Sequence, residues 1–146
     1  FNCKILNQDA LLLNENIKYE CVLVDAPCSA IGTIRKNPEI FFKKSAPKLL
    51  DLKNLQSKLL NKASKILTKK GFIIYMVCSF FEIETTQQIN YFLMKNKNFS
   101  ISKFKFSKYD NFSKLINKEG FFTTLPSNYN DFFMDGFFAA KLQKND

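Results

Sequence analysis

Two cysteines are placed where a thiol could act as a nucleophile. Cys28 follows the apolar run 22–24 and Asp25, and a serine comes directly after it. Cys78 follows the apolar run 72–77 and is also followed by a serine. Short apolar runs of this kind are typical of buried strands, whose ends carry polar groups to the rim of a sheet. The two strand ends predict a site with two thiols.

The composition limits how such a thiol could be activated. The chain has no histidine, and its four cysteines include no C-x-x-C pair. A Cys–His or Ser–His nucleophile pair within the chain is therefore excluded, and no metal site is predicted. A thiol redox role is disfavoured, because Cys28 and Cys78 follow separate strands without redox spacing. Cys3 and Cys21 are interpreted as structural thiols.

The net charge favours a polyanionic partner such as nucleic acid. The 146-residue chain carries a formal charge of +9, and its basic residues are almost all lysine, with Arg35 the only arginine. An A/T-rich coding bias would produce the same abundance of Lys, Asn, Ile and Phe, so charge alone does not decide. With no initiator methionine, secretory signal or membrane-length apolar run, we expect part of a longer, cytoplasmic protein with reduced thiols.

The elements that must position these residues alternate between strands and helices. Strands are predicted at residues 3–6, 21–25, 72–77, 99–106 and 137–142, the last of them antiparallel. Helices are predicted from the N-cap Ser45, with Pro47 in the first turn, to Lys69-Lys70 before Gly71, and over residues 82–94. Residues 11–19 and 109–120 are compatible with a connection or a short helix, and residues 125–128 with a loop.

This order of elements predicts an α/β sheet with right-handed crossovers. In such sheets ligands bind beyond the carboxyl ends of the strands. Asp25, Cys28, Cys78 and Ser79 would all lie at that end. The pattern makes a binding site plausible without identifying its chemistry.

Several motifs occur in the order found in one enzyme family. They are Asp25-Ala26-Pro27-Cys28-Ser29, Gly32-Thr33, Arg35-Lys36-Asn37-Pro38-Glu39, Tyr75-Met76-Val77-Cys78-Ser79 with Glu84, Leu125-Pro126, and Asp135-Gly136-Phe137-Phe138-Ala139. On these motifs the chain resembles the RNA (cytosine-5)-methyltransferases, most of all those that act on bacterial small-subunit ribosomal RNA. The resemblance implies that residues 1–146 are the C-terminal portion of a single methyltransferase domain. Its α/β sheet would be a partial Rossmann-like class I sheet that lacks the first two strands.

The resemblance implies roles for the residues at the two strand ends. Carbon 5 of cytosine is a poor nucleophile until a thiolate adds at carbon 6, and the family likeness gives that attack to Cys78. Cys28 would release the enzyme from the methylated base, and Asp25 would orient the base. The target base must leave its stack to reach this site. Without histidine, thiolate formation would rely on local positive potential, helix dipoles or the sulfonium of the methyl donor.

The resemblance also implies a cofactor and a partner. The cofactor is S-adenosylmethionine, with Asp9 near its adenine and Asp25 beside it. The partner is RNA, with 16S ribosomal RNA preferred to transfer RNA. Arg35 and Lys36 would contact the RNA backbone. Other readings stay open for each of them. Asp9 could simply cap the next segment, and Arg35 and Lys36 could be ordinary solvated charges.

One part of the family pattern is missing. The glycine-rich turn that begins the methyl-donor site is absent, and the four glycines of the chain are scattered. We therefore expect the strand before Asp25 to be an exposed apolar edge, and the isolated chain to bind the donor poorly unless an upstream polypeptide segment completes the domain. A non-catalytic, RNA-binding remnant is the alternative. Ala30 also stands where the family usually has glycine, which reduces the freedom of that loop.

Overall fold

The computed structural model describes residues 2–42, 48–105, 110–129 and 132–146. In chain order its strands and helices are β1 (Tyr19–Asp25), α1 (Leu49–Lys65), β2 (Leu67–Val77), α2 (Thr86–Lys95), β3 (Phe99–Ile101), α3 (Asp110–Ser113), β4 (Phe122–Thr124), β5 (Ser127–Tyr129), β6 (Phe132–Met134) and β7 (Phe137–Lys144). Short 3-10 helices cover Ala10–Leu12, Ile31–Thr33, Pro38–Phe42 and Glu82–Glu84. Among the described residues, no helix has the length and hydropathy needed to cross a bilayer.

A central sheet organises the chain. Its strand order is β1-β2-β7-β3, and β4 pairs with β7 as well. β1 and β2 are parallel and are connected through α1, whereas β7 runs antiparallel to β2, β3 and β4. β5 and β6 form a separate two-stranded sheet. The predicted α/β class and the antiparallel last strand are confirmed.

The core lies between the sheet and helices α1 and α2. In β2 burial alternates along the strand, so Ile73, Tyr75 and Val77 all point into the core. α1 contributes the buried side chains of Leu60 and Ala63, which recur at helical spacing. Burial of these apolar surfaces is the main driving force for folding and holds the ends of β1 and β2 in fixed positions.

Helix α1 ends earlier than predicted. It stops at Lys65 and β2 begins at Leu67, so residues 69–71 lie in a strand and not in a last helical turn. Ile66 and Leu67 continue the helical spacing in the sequence, but both are buried where the chain enters the sheet. The amide of Tyr19 donates to the carbonyl oxygen of Ile66 at 2.8 Å, which joins this corner to β1. The predicted N-cap Ser45 and Pro47 lie outside the described residues.

Four other predicted elements differ from the structure. Residues 3–6 form no strand, because no neighbouring strand of the described chain pairs with them. The predicted helix 82–94 divides at Thr85, whose φ of −117° and ψ of −105° are not helical, into a 3-10 turn and α2. The predicted strand 99–106 stops at Ile101, and Phe106 lies outside the described residues. β5 begins within the predicted loop 125–128, and α3 supplies the short helix considered for residues 109–120.

The outer edge of β1 has no partner strand among the described residues. Leu23 on this strand is 59% exposed, in agreement with the expected apolar edge. A groove of about 170 Å³ lies beside it, lined by Ala10, Leu13, residues 22–25 and one face of α1. Cys3 and Cys21 are both exposed, so neither thiol belongs to the core.

Candidate active site

The two predicted cysteines meet at the carboxyl end of the parallel strand pair. Asp25 lies opposite Met76 in the register of β1 and β2, and the amide of Ala26 donates to the carbonyl oxygen of Met76 at 3.0 Å. Because β1 and β2 are parallel, the segments that follow them begin at the same end of the strand pair. The Sγ atoms of Cys28 and Cys78 come within 3.3 Å of each other, and both side chains are partly buried. The structure therefore brings together the residues that the sequence singled out.

The two thiols are chemically unequal. The hydrogen bond from Cys28 lowers the pKa of Cys78 to about 7, against the opposing effects of burial and of the carboxylates of Asp25 and Glu84. The same hydrogen bond, together with burial, raises the pKa of Cys28. Near neutral pH Cys78 is accordingly the sulfur that ionises first, with Cys28 as its hydrogen-bond partner. The thiolate is the nucleophilic form of cysteine.

A buried carboxylate links the two strand ends behind the thiols. The side chain of Glu84 is fully buried, and its Oε2 accepts hydrogen bonds from the hydroxyls of Ser29 and Ser79, each at 2.6 Å. Its Oε1 accepts from the amide of Ser29 at 2.8 Å and from Nε2 of Gln56 at 3.2 Å. The hydroxyl of Tyr75 donates to the backbone oxygen of Glu84 at 2.8 Å. Each Cys-Ser pair is thus fixed through its serine.

Sequence reasoning missed Gln56, which supports the same site. Nε2 of Gln56 also donates to the carbonyl oxygen of Pro27 at 2.9 Å, directly before Cys28. The signal was present, since Gln56 lies four residues from both Leu52 and Leu60 on the buried face of α1. A polar side chain within an apolar helical stripe indicates a buried hydrogen-bonding role.

Two glycines connect the C-terminal motif to the thiols. The amide of Gly32 donates to the carbonyl oxygen of Cys78 at 3.0 Å, and the amide of Gly136 donates to the carbonyl oxygen of Gly32 at 2.7 Å. A Cβ atom on Gly32 would lie 1.9 Å from the carbonyl oxygen of Gly136. The backbones can approach this closely because Gly32 has no side chain, and a Cβ atom on Gly136 would make a tight contact at 3.0 Å from the Cα of Gly32.

The two predicted RNA-binding cations share one carboxylate. Asp135 accepts from Arg35 at 3.1 Å and from Lys36 at 2.9 Å, and these contacts lower the pKa of Asp135, with the hydrogen bond from Lys36 the largest cause. The guanidinium of Arg35 also lies over the ring of Phe133, 5.5 Å from its centroid. The side chains of Arg35 and Lys36 stay 35% and 62% exposed, so both are accessible at the surface.

The two acidic residues predicted at the cofactor are both exposed, and Asp25 alone of the two lines the groove beside β1. Asp9 is exposed, and its Oδ1 accepts from the amide of Leu11 at 2.9 Å, which makes it the N-cap of the 3-10 helix there. Asp25 is exposed at the end of β1 and lines the groove together with Ala10. The capping role of Asp9 is thus present in the structure, and its role at a cofactor remains a prediction.

The loop after Cys28 contains a strained residue. Ala30 has φ 57° and ψ 18°, in the left-handed region that a glycine adopts more readily. Its carbonyl oxygen accepts from the hydroxyl of Thr33 at 2.9 Å. The alanine therefore adopts the backbone conformation that the family's usual glycine would favour.

Comparison with known proteins places this geometry in a family. Residues 1–143 match the family described as 16S rRNA methyltransferase RsmB/F. Ribosomal RNA small subunit methyltransferase B of Xylella fastidiosa is 38% identical over 77 residues, which are 53% of this chain and 18% of that protein. Ribosomal RNA small subunit methyltransferase F of Aliivibrio fischeri is 30% identical over 128 residues, which are 87% of this chain and 26% of that protein. The chain thus spans about a quarter or less of the length of these relatives.

Solved structures agree on the fold. NSun6 from Pyrococcus horikoshii, solved with the S-adenosylmethionine analogue SFG, matches with a TM-score of 0.75 at 22% identity, over 98% of this chain and 35% of that one. A methyltransferase homolog protein from the same organism matches with a TM-score of 0.64 at 21% identity, over 99% of this chain and 45% of that one. These likenesses confirm the Rossmann-like methyltransferase fold. The chain belongs to the 16S rRNA methyltransferase RsmB/F family.

Proposed function

We propose that this chain is the cytosine-binding portion of an S-adenosylmethionine-dependent methyltransferase that modifies carbon 5 of cytosine in 16S ribosomal RNA. The proposal includes the C-terminal position of these residues within one catalytic domain. The observation that carries it is the 3.3 Å contact between Cys28 and Cys78, because it leaves one sulfur ready to ionise beside a thiol donor. Membership of the family and the charge of +9 support an RNA substrate.

Covalent catalysis suits this arrangement. The thiolate of Cys78 adds to carbon 6 of cytosine, which forms a C–S bond and moves an electron pair toward carbon 5. S-adenosylmethionine, when bound, supplies the methyl group to carbon 5. A water molecule then takes the carbon 5 proton, the C–H electron pair re-forms the double bond between carbons 5 and 6, and the C–S bond breaks with its electron pair on Cys78, which leaves as a thiolate. We assign the release step to Cys28, which contacts that sulfur. We assign to Asp25 the orientation of the base, through a hydrogen bond to its polar edge.

The methyl-donor side does not fit a complete cofactor site. The groove beside β1 is lined by Asp25 and by mainly apolar residues, and no glycine lines it. The four glycines have other places: Gly32 and Gly136 pack on each other, Gly71 lies in β2, and Gly120 has φ 96° in a turn. We therefore propose that an upstream polypeptide segment completes the donor site, with Asp9 and Asp25 at its rim.

Calorimetry tests the donor half of this proposal. S-adenosylmethionine should bind this chain weakly or not at all, because the glycine turn that would cradle the donor is absent. Tight one-to-one binding to this chain would refute the proposal that the donor site is incomplete.

Substitution of the two cysteines tests the catalytic half, in a polypeptide that includes this chain and a donor half. Cys78→Ser should abolish methyl transfer, because a serine hydroxyl is not ionised near neutral pH. Cys28→Ser should accumulate a denaturation-resistant RNA adduct, because release is impaired. An unchanged rate for the Cys78 variant would refute the assignment.

A non-catalytic RNA-binding module is the second candidate. The incomplete donor groove favours it, together with the excess of lysine over acidic residues. This candidate requires RNA binding that weakens steeply with salt, without any methyl transfer even when a donor half is supplied. Arg35→Ala and Lys36→Ala should both weaken that binding.

A further inference from the structure

We propose that Glu84 is the positioning residue of the two-thiol site: its buried carboxylate holds the serine after Cys28 and the serine after Cys78 together and thereby sets the distance between the two sulfur atoms. The inference rests on the proposed function for its catalytic consequence. The geometric part concerns this chain alone.

Both oxygens of Glu84 accept hydrogen bonds, three from the two Cys-Ser segments and one from Gln56 of α1. Oε2 accepts from the hydroxyls of Ser29 and Ser79, and Oε1 accepts from the amide of Ser29 and from Gln56. Four donors around one carboxylate stabilise a negative charge that burial would otherwise make costly. No lysine or arginine of the described residues forms an ion pair with Glu84. Its bonds are therefore directed at the Cys-Ser segments and at α1.

The carboxylate is itself held rigidly. The hydroxyl of Tyr75, on β2, donates to the backbone oxygen of Glu84, and the amide of Glu84 donates to the carbonyl oxygen of Phe81 at 3.0 Å. Gln56 reaches from α1 to both Glu84 and Pro27. A side chain fixed from the sheet and from a helix can transmit that fixed position to the serines.

Each serine is directly bonded to its cysteine in sequence, so a displaced serine moves the neighbouring thiol. Ser29 has two hydrogen bonds to Glu84, through its amide and its hydroxyl, and Ser79 has one, through its hydroxyl. The hydroxyl of Ser79 also lies 3.3 Å from that of Ser29. Removing the carboxylate therefore releases both segments, and removing the Ser79 hydroxyl releases the Cys78 side alone.

The rate of disulfide formation between the two thiols measures their proximity without RNA. The background is Cys3→Ser with Cys21→Ser, since those exposed thiols would compete. Diamide is the oxidant: the two S–H bonds break, one S–S bond forms, and the azo group takes up two electrons and two protons to become a hydrazine. The first thiol adds to diamide, and the second thiol then displaces the hydrazine to close the disulfide. The rate of this second step, followed on folded protein as conversion of the diamide adduct to the disulfide by mass spectrometry, reports how often the sulfur atoms meet.

Glu84→Ala should slow disulfide formation at least about tenfold, because the sulfur atoms lose their enforced proximity. Glu84→Gln should stay within about threefold of the parent, since an amide can keep the carbonyl bonds while the two serine hydroxyls turn to accept. Ser79→Ala should approach the alanine variant of Glu84, and it serves in its place if that variant does not fold. The control is Gln88→Ala, which removes another buried polar side chain, one whose hydrogen bond goes to the carbonyl oxygen of Lys53.

The inference is overturned if Glu84→Ala and Ser79→Ala form the disulfide at the same rate as the parent. It is also overturned if Gln88→Ala slows disulfide formation as much as Glu84→Ala does. In a polypeptide with a donor half, Glu84→Ala should lower kcat at least about tenfold with KM within about threefold, and Glu84→Gln should restore most of kcat. If methyl transfer is absent from every variant, the proposed function fails while the disulfide rates still judge the positioning role.

Discussion

Two regions of strand β1, its carboxyl end and its outer edge, differ in how many contacts the described chain makes with them. At its carboxyl end the thiol cluster (Cys28, Ser29, Cys78, Ser79 and Glu84) has side chains that are mostly hydrogen-bonded and partly or fully buried. Along its outer edge the strand has no partner in the described chain, and its groove is open and mainly apolar. One strand thus ends in a hydrogen-bonded cluster and leaves its outer edge uncovered in the described chain.

This difference separates the contacts that this chain makes with its own residues from those that require another strand. The thiol cluster needs only β1, β2, α1 and the turn at Glu84, all of which lie within this chain. A parallel sheet edge needs another strand to pair its backbone groups and cover its side chains. Substitutions should therefore be costly at the thiol cluster and its connected loops, and nearly neutral along the open edge of β1.

The largest effect on stability is expected where the loops that contain Gly32 and Gly136 contact each other next to Cys78. Gly32→Ala should destabilise the protein by about 3 kcal/mol, because the added Cβ would overlap the carbonyl oxygen of Gly136 and break that contact. Urea unfolding measures the change. Gly136→Ala should cost less, since its Cβ would lie 3.0 Å from the nearest atoms. Equal and small effects at both positions would contradict the close crossing.

Asp135→Asn tests the ion pairs that join the C-terminal motif to the Arg35–Lys36 loop. We expect a loss of about 1 kcal/mol near neutral pH, because two charge-assisted hydrogen bonds weaken between a buried carboxylate and two solvent-accessible cations. The folded state lowers the pKa of Asp135, so its contribution is present above the ordinary aspartate range near pH 4 and is lost as the pH falls below it. Unfolding followed from pH 7 to pH 3 should show less acid sensitivity in the variant. Identical acid sensitivity would be evidence against the ion pairs.

Ala30→Gly should stabilise the protein slightly. Relief of the left-handed strain is partly offset by the greater freedom of glycine in the unfolded chain, which leaves about 0.5 to 1 kcal/mol. Thermal unfolding is sensitive enough to detect this. The control is Ala63→Gly at a buried position in the last turn of α1, which should be destabilising. Destabilisation by both changes would mean that Ala30 is not in the left-handed conformation.

The smallest effect on stability is expected on the open edge. Leu23→Lys should change the free energy of unfolding by no more than about 0.5 kcal/mol, because the side chain is largely exposed and a surface substitution costs little. The added charge should reduce self-association measured by light scattering, since charged residues protect sheet edges. A large loss of stability would show that Leu23 packs in a core and that the edge is not open.

The main elements and the thiol pair could be predicted because their signals are local. Apolar runs ending in Cys-Ser predicted β1 and β2, and helical spacing predicted most of α1. The end of α1 was predicted wrongly because Ile66 and Leu67 suit either a helical stripe or a buried strand. The hydrogen bond from Tyr19 to Ile66, a contact between distant parts of the sequence, favours the strand over a longer helix.

The hydrogen bonds within the site could not be predicted in the same way. Glu84 could be recognised as part of a motif, but its bonds to Ser29 and Ser79 depend on the close approach of two strand ends. The contact of Asp135 with Arg35 and Lys36 spans about a hundred residues of sequence and has no local signal. Spacing identifies which side chains could act, and the fold determines which of them meet.

The inequality of the two thiols is the central claim, and alkylation as a function of pH tests it most directly. In the Cys3→Ser, Cys21→Ser background, reduced protein is treated with iodoacetamide from pH 5 to pH 10, and modification at each remaining cysteine is measured by mass spectrometry. Because hydrogen bonding from Cys28 lowers the pKa of Cys78 to about 7, Cys78 should react first, with half-maximal rate near that pH. Cys28 should react only at higher pH. Earlier reaction of Cys28, or the same profile for both thiols, would contradict the account.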